Sequence, residues 1–188
     1  MKTVEPIRDV AKIKSLKKIL RSQSERDYLL FCIGINSPFR ISDLLAFRFS
    51  DLVDQKGNVL THFSIQEKKT GKYNRIAIGK QLHKDIREYM QSAFHGDYQA
   101  YVFPSRKKGK PISRQQAWFI LHRAAQEIGL SNIAPHSLRK TFGYHLRMNG
   151  TDIELIMELL NHSTTRETLR YIGITQDEKD QAVRSLDL

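Results

Sequence analysis

Two arginines, a knot of lysines, two histidines and a tyrosine stand where the apolar segments of this chain give way to turns. Arg40 lies in Pro38-Phe39-Arg40-Ile41-Ser42-Asp43, between two apolar stretches. A guanidinium enclosed there needs an anion or several carbonyls, and pairing with Asp43 or Asp51 explains it equally well. Lys68, Lys69 and Lys72 crowd the segment Glu67–Lys72. A lysine on such a tip can enter a groove and protonate a leaving oxygen, or simply keep a sheet edge solvated. His136 and Arg139 open a helix after Pro135, three residues apart and therefore on one face. Helix-start amides beside an arginine suit an anion, while a capping histidine and a surface arginine are the plainer reading. His162 follows a run of apolar residues, where a lone histidine is usually structural. Tyr171 sits late in a short segment, as many packing tyrosines do.

Brought together, these groups suit phosphoryl transfer without a metal. Arginines neutralise a five-coordinate phosphate as its charge develops, and a tyrosine attacks it as a covalent nucleophile. A phenol has a pKa of about 10, so a histidine and a cationic pocket must help it lose its proton. Other phosphate chemistries lack their parts. The pairs Gly71-Lys72, Gly79-Lys80 and Gly109-Lys110 are not followed by Ser or Thr, so there is no phosphate-cradling P-loop. There is no Gly-x-Gly-x-x-Gly after a strand, no Gly-x-Ser-x-Gly and no His-Glu-x-x-His. One cysteine, Cys32, rules out a cysteine zinc cage and reads as a small buried hydrophobe.

The elements that must position these groups follow from periodicity. The 188 residues suit one domain with a substantial core. Residues 7–20 carry Val10, Ile13, Leu16 and Ile19/Leu20 on one helical stripe. Ser24 precedes a second helix, apolar nearly all round, that Pro38 interrupts, and a short helix follows with Ser42 as its N-cap. The period then switches to alternation, which predicts paired strands at 61–67 and 73–78 around the lysine turn, in a hairpin or a three-stranded sheet. Helical spacing returns near 80–93, 113–128, 137–148, 152–160, 164–171 and 176–185, punctuated by Gly129, Pro135, Gly150 and Gly173. Arg106, Lys107 and Lys108 form a basic turn, a solvated loop or a phosphate contact. The fold class is mainly α with a small antiparallel β-sheet (α+β). A net charge of +11 points to a polyanion, nucleic acid first. No apolar run approaches a bilayer span, and charges occupy the N-terminus where a signal peptide needs an apolar stretch.

Arg40, Lys69, His136-x-x-Arg139, His162 and Tyr171, in this order and spacing, resemble the active site of the tyrosine recombinases, the phage integrase family. PFRISDLL is similar to the family's arginine box, KKTGKYNRIAI to its hairpin lysine segment, APHSLRKTFGYHL to its His-x-x-Arg helix and LLNHSTTRETLRYIGI to its closing segment. The chain departs at Pro38-Phe39, where members usually show Gly-Leu, and at Asn161, where they show glycine.

The resemblance implies site-specific DNA strand exchange through a 3′-phosphotyrosine, with neither ATP nor metal nor other cofactor. It makes Tyr171 the nucleophile, Lys69 the acid for the leaving oxygen, and Arg40 and Arg139 the phosphate clamp. His136 becomes the acid/base, His162 a further phosphate contact and Asp43 their support. Lys68, Lys72, Arg106, Lys107 and Lys108 become DNA contacts. It further implies double-stranded DNA as partner, a tetramer of this chain on it, and a cytoplasmic, nucleoid-associated setting. Residues 1–188 are expected to form one catalytic domain with 175–188 as a tail helix, lacking the N-terminal core-binding domain that members usually carry. A type IB topoisomerase-like nicking-closing enzyme and a catalytically silent DNA-binding module are the alternatives. DNA affinity is expected to fall about 10³–10⁵-fold between 50 and 200 mM salt, the response of a protein neutralising roughly 6–10 phosphates, when measured by titration at several salt concentrations; a flat response contradicts the polyanion reading.

Overall fold

The computed structural model describes residues 4–66, 73–107, 109–174, 180 and 183–186. Helix α1 (Val10–Gln23) begins where the Asp9 carboxylate accepts from the Ala11 N–H at 2.6 Å. It hands over to α2 (Glu25–Ile35) at Ser24, whose N–H closes α1 on the Leu20 carbonyl and whose hydroxyl caps α2. The expected stripe shifts: residues 4–9 are not helical, and Val10 is exposed rather than in the core. The backbone of Ile7 is engaged elsewhere, its N–H donating to Thr141 Oγ1 at 2.8 Å.

Helix α2 is central. Every residue from Asp27 to Gly34 is buried, and it packs on α1, α4 and α6. It stops three residues before Pro38, as the restriction on residues preceding proline requires. The short α3 (Ile41–Leu44) is capped differently from expectation. Arg40 occupies the N-cap position, its carbonyl accepting from Asp43 and Leu44, and Ser42 lies one residue inside. A 3-10 turn at Phe49–Asp51 follows, where the Asp51 carboxylate accepts from the Arg48 N–H.

Strands β1 (His62–Gln66) and β2 (Tyr73–Ala77) pair antiparallel with Phe63 opposite Ile76, one two-stranded sheet among the described residues. The remaining helices are α4 (Lys80–Ala93), α5 (Arg114–Gln126), α6 (Pro135–Met148), α7 (Ile153–Leu159) and α8 (Thr165–Ile172). Ser113 and Gln116 form a reciprocal capping box at the start of α5. Pro135 begins α6 as its first residue, where its missing N–H has no helical partner to lose. The segment expected as a tail helix lies mostly outside the described residues. Cys32 is fully buried, and burial pushes its thiol up to about 12.

Two packing features hold the parts that matter for chemistry. Phe39, Phe47 and Phe63 form a triangle of rings with centroids 5.5–5.8 Å apart. It joins the residue before Arg40 to the first strand of the hairpin. The second is the crossing of α2 on α6. A Cβ on Gly34 would stand 2.5 Å from Leu138 Cδ1, so only glycine lets α6 approach this closely. Leu138 is fully buried and cannot swing away. Gly34→Ala should therefore lower stability by about 1–3 kcal/mol in urea denaturation, overpacking outweighing the gain of roughly 1 kcal/mol in helix propensity. An unchanged or raised midpoint would show that the crossing is loose.

Candidate active site

Arg139 is the most enclosed of the candidate residues, with 4% of its surface exposed. It projects from the first turns of α6, and its guanidinium Nη2 donates to the Leu160 carbonyl at the end of α7. That bond fastens α6 to the turn holding His162. Asn161 takes the left-handed conformation there (φ 50°), which asparagine tolerates better than most residues. The His162 N–H then donates back to the Met157 carbonyl at 3.0 Å.

The His162 ring is half-buried, with Nδ1 3.2 Å from Thr168 Oγ1. The Thr168 hydroxyl has one proton, which it donates to the Thr164 carbonyl at 3.1 Å. It can therefore only accept from the histidine, so Nδ1 carries the ring proton and a neutral His162 presents Nε2 as an acceptor. The edge of the same ring meets Tyr171, with centroids 4.8 Å apart and planes at 75°. Tyr171 is half-buried in the small apolar cluster of Ile156, Leu160 and Ile172.

Arg40 and His136 complete the group. Arg40 is half-buried at the start of α3. His136 is the second residue of α6, not its cap: Ala134 is the N-cap, with its N–H bonded to Ser137 Oγ at 3.2 Å. The His136 ring opens into a cleft of about 740 Å³ whose wall includes Arg40, Asp43, Arg114, Gln115 and Trp118. Asp43 is buried.

The electrostatics agree with this arrangement. Burial and then the charges of Arg139, Lys140, Arg40 and Arg114 hold His136 below the ordinary histidine value. Burial also lowers His162, where Glu167 acts the other way and Arg139 and Arg40 reinforce the shift. Burial pushes the Tyr171 phenol up, against Arg139 and Arg40. Both guanidinium charges thus act on both histidines and on the tyrosine.

Arg40, Asp43, His136, Arg139, His162 and Tyr171 are brought to one place. Lys68, Lys69, Lys72 and Lys108 lie outside the described residues. Arg106 and Lys107 are exposed on the loop between Pro104 and Pro111. Arg106 lines a second cleft with Arg26 and Phe119, and Gln115 borders both clefts, so the basic loop adjoins the His136 side of the site. Among the described residues no three His, Cys, Asp or Glu side chains gather as a metal site.

Sequence reasoning missed Lys140, Thr168 and Arg8. Lys140 is 7% exposed, and its Nζ stands 5.3 Å from the centroid of the Tyr171 ring. Arg8 donates to the Gly173 carbonyl at 2.7 Å, just beyond the tyrosine helix. Thr168 had a signal, since it precedes Tyr171 by three and shares its helix face. Arg8 had none.

The description of the phage integrase family matches residues 8–178. The chain is 42% identical over 177 residues to the probable integrase/recombinase YoeC of Bacillus subtilis (strain 168), covering 94% of this chain and 93% of that protein. It is 27% identical over 176 residues to the tyrosine recombinase XerA of Pyrococcus furiosus, covering 94% of this chain but 60% of that one. Among solved structures it is similar to XerA recombinase, with a TM-score of 0.74 at 19% identity over 96% of this chain and 65% of that one. It is also similar to the XerH site-specific recombinase bound to a palindromic difH substrate in a post-cleavage complex, with a TM-score of 0.76 at 16% identity, over 100% of this chain and 54% of that one.

Both histidines being lowered, the fold favours neutral imidazole, and the unfolded chain takes up protons first as pH drops through about 6.5. This contribution to stability is present above pH 6.5 and is lost below it, until the folded histidines protonate as well. The urea midpoint should fall between pH 7.5 and 5.5, and His162→Gln should shrink that fall; an equal fall in the variant would assign it to other groups.

Proposed function

The chain belongs to the phage integrase family and is an enzyme of the tyrosine recombinase type that acts on DNA, and we propose that Tyr171 carries its strand exchange. Tyr171 Oη attacks a DNA phosphorus, forming a 3′-phosphotyrosine as the bond to the 5′-oxygen breaks. Lys69, between β1 and β2 in the sequence, gives that oxygen its proton. In the second half a 5′-hydroxyl from the other strand attacks the same phosphorus, and the phenol leaves with a proton returned to it. The bond energy stays in the protein–DNA ester throughout, so the sequence of steps closes without ATP.

The observation that carries this reading is geometric: Arg40 and His136 line one cleft, Arg139 bonds the carbonyl leading into the His162 turn, and the His162 ring rests against Tyr171. Two guanidinium groups from separate elements suit the extra negative charge of the five-coordinate phosphate. The neutral His136 is available to take the phenol proton, and His162, its Nδ1 already committed to Thr168, offers Nε2 toward the phosphate when protonated there. A raised phenol pKa keeps Tyr171 protonated until the substrate and the arginines together favour the phenolate.

Asp43, buried beside Arg40 at the start of α3, supports that arginine's position. Lys68, Lys72, Arg106, Lys107 and Lys108 hold the flanking DNA backbone by charge. Joining two duplexes requires four strand cleavages, hence four copies of the chain on the DNA, working where chromosomal DNA lies in the cytoplasm. No helix among the described residues is long and apolar enough to cross a membrane.

Incubation with a pool of nicked duplexes, randomised across the binding site, should trap covalent adducts through Tyr171, mapped by peptide sequencing. Tyr171→Phe should lower trapping by more than about 10³-fold and leave DNA affinity little changed. Wild-type protein that binds but never traps would favour the silent module, and relaxed circles without joined sites would favour the topoisomerase-like reading.

A further inference from the structure

Lys140 follows Arg139 on α6, yet it turns into the protein beneath the nucleophile. It is 7% exposed, and its Nζ lies 5.3 Å from the centroid of the Tyr171 ring, over the face of the ring. Resting on the assignment of Tyr171 as nucleophile, we propose that Lys140 is a positioning residue for the reaction, holding the tyrosine ring by its face and favouring its ionised form.

The physical basis is the ring's charge distribution. The face of a neutral phenol is already electron-rich and attracts an ammonium. When the phenol loses its proton, the ring gains a full negative charge and the attraction grows. An interaction stronger in the ionised, attacking form than in the resting form lowers the barrier to attack rather than merely tightening the ground state. It also fixes the rotation of the ring, which the edge contact of His162 constrains from another side. Two contacts from separate elements leave the ring less freedom to rotate, which favours one direction for Oη.

Charges from α6, the α3 turn and the N-terminal arm act on this pair. Arg139 of α6 and Arg40 of the α3 turn both favour the phenolate, against the burial that disfavours it. Lys140 is itself held below the ordinary lysine range by burial, while Glu5 from the N-terminal arm acts to keep it protonated. The same arm bonds through Arg8 to the Gly173 carbonyl, two residues beyond the tyrosine. Residues 5 and 8 thus bear on both sides of the nucleophile, one through the lysine and one through the end of α8.

The test compares Lys140→Met, which keeps length and removes charge, with Lys140→Arg, which keeps charge in a bulkier group. Adduct formation on a sequence recovered from the randomised nicked pool is followed in single turnover from pH 6 to 9, with DNA affinity and melting temperature measured beside it. K140M should form adduct about tenfold more slowly at pH 7, its rise in rate moved about one unit to higher pH, with DNA affinity unchanged. K140R should recover most of the rate. The reverse order, an active K140M and an impaired K140R, would show that only packing matters and overturn the inference while leaving Tyr171 as nucleophile. A wild-type adduct on any other residue would overturn both. If K140M melts below the assay temperature, Lys140→Gln makes the same charge comparison and is judged by the same outcomes.

Discussion

A guanidinium enclosed by protein is costly unless its donors are met, and the arrangement around Arg139 follows from that cost. With 4% of its surface exposed, Arg139 cannot rely on water. One donor goes to the Leu160 carbonyl at the C-terminal end of α7, where backbone carbonyls carry partial negative charge. That single bond aligns α6 with the turn bearing His162, and α8 follows because His162 bonds Thr168 and touches Tyr171. In the proposed reaction, the side chain that ties α6 to α7 is also one that meets the phosphate.

The protonation states at rest follow from burial first and from the same positive charge second. Burial lowers both histidines, with Arg40 and Arg139 reinforcing it, and burial raises the Tyr171 phenol against those two charges. Empty, the pocket holds neutral imidazoles and a neutral tyrosine among cations. A phosphate diester entering it cancels part of that charge, which raises the histidines toward protonation at the point where one of them must carry a proton. On the proposed mechanism, the acid and base roles arise when the substrate arrives rather than being stored in the free protein. This is one physical reason that a resting enzyme with a phenol nucleophile does not attack at random.

Much of this was legible in the sequence because apolar period and turn chemistry are local signals. The 80–93 helix was read to the residue, and the two strands to within a residue at each end, since alternation switches abruptly at both boundaries. Errors fell where a distant partner decides. The start of α1 was placed too early because Ile7 looks helical by period, yet its N–H and carbonyl are taken by Thr141 and His145 on α6. Ser42 looked like a cap by composition, but Arg40 takes the N-cap position. Order and spacing singled out Arg40, His136, Arg139, His162 and Tyr171, which the fold gathers, and Lys69, which lies outside the described residues; they did not single out Lys140. A lysine after an arginine on a helix reads as a solvated pair, and only the passage of α8 across α6 buries it.

Anchoring is uneven across the site, and the unevenness falls on the nucleophile. Arg40 follows Phe39 in a ring triangle inside the main core, and α6 is pinned to the central α2 by the Gly34–Leu138 approach. Helices α7 and α8 instead share a small cluster with three fully buried side chains, Ile156, Leu160 and Ile172. Local opening costs least where buried apolar area is smallest. Gly143 lets this pair lie close to α6, since a Cβ there would meet Ile172 Cγ2 at 2.6 Å. The N-terminal arm adds the Arg8 bond to Gly173. The two arginines thus stand on elements packed into the main core, while Tyr171 rides on a helix that a small cluster holds in place. The proposed strand exchange suits that division: the arginines hold their place while Tyr171 attacks, stays attached through an intermediate and departs.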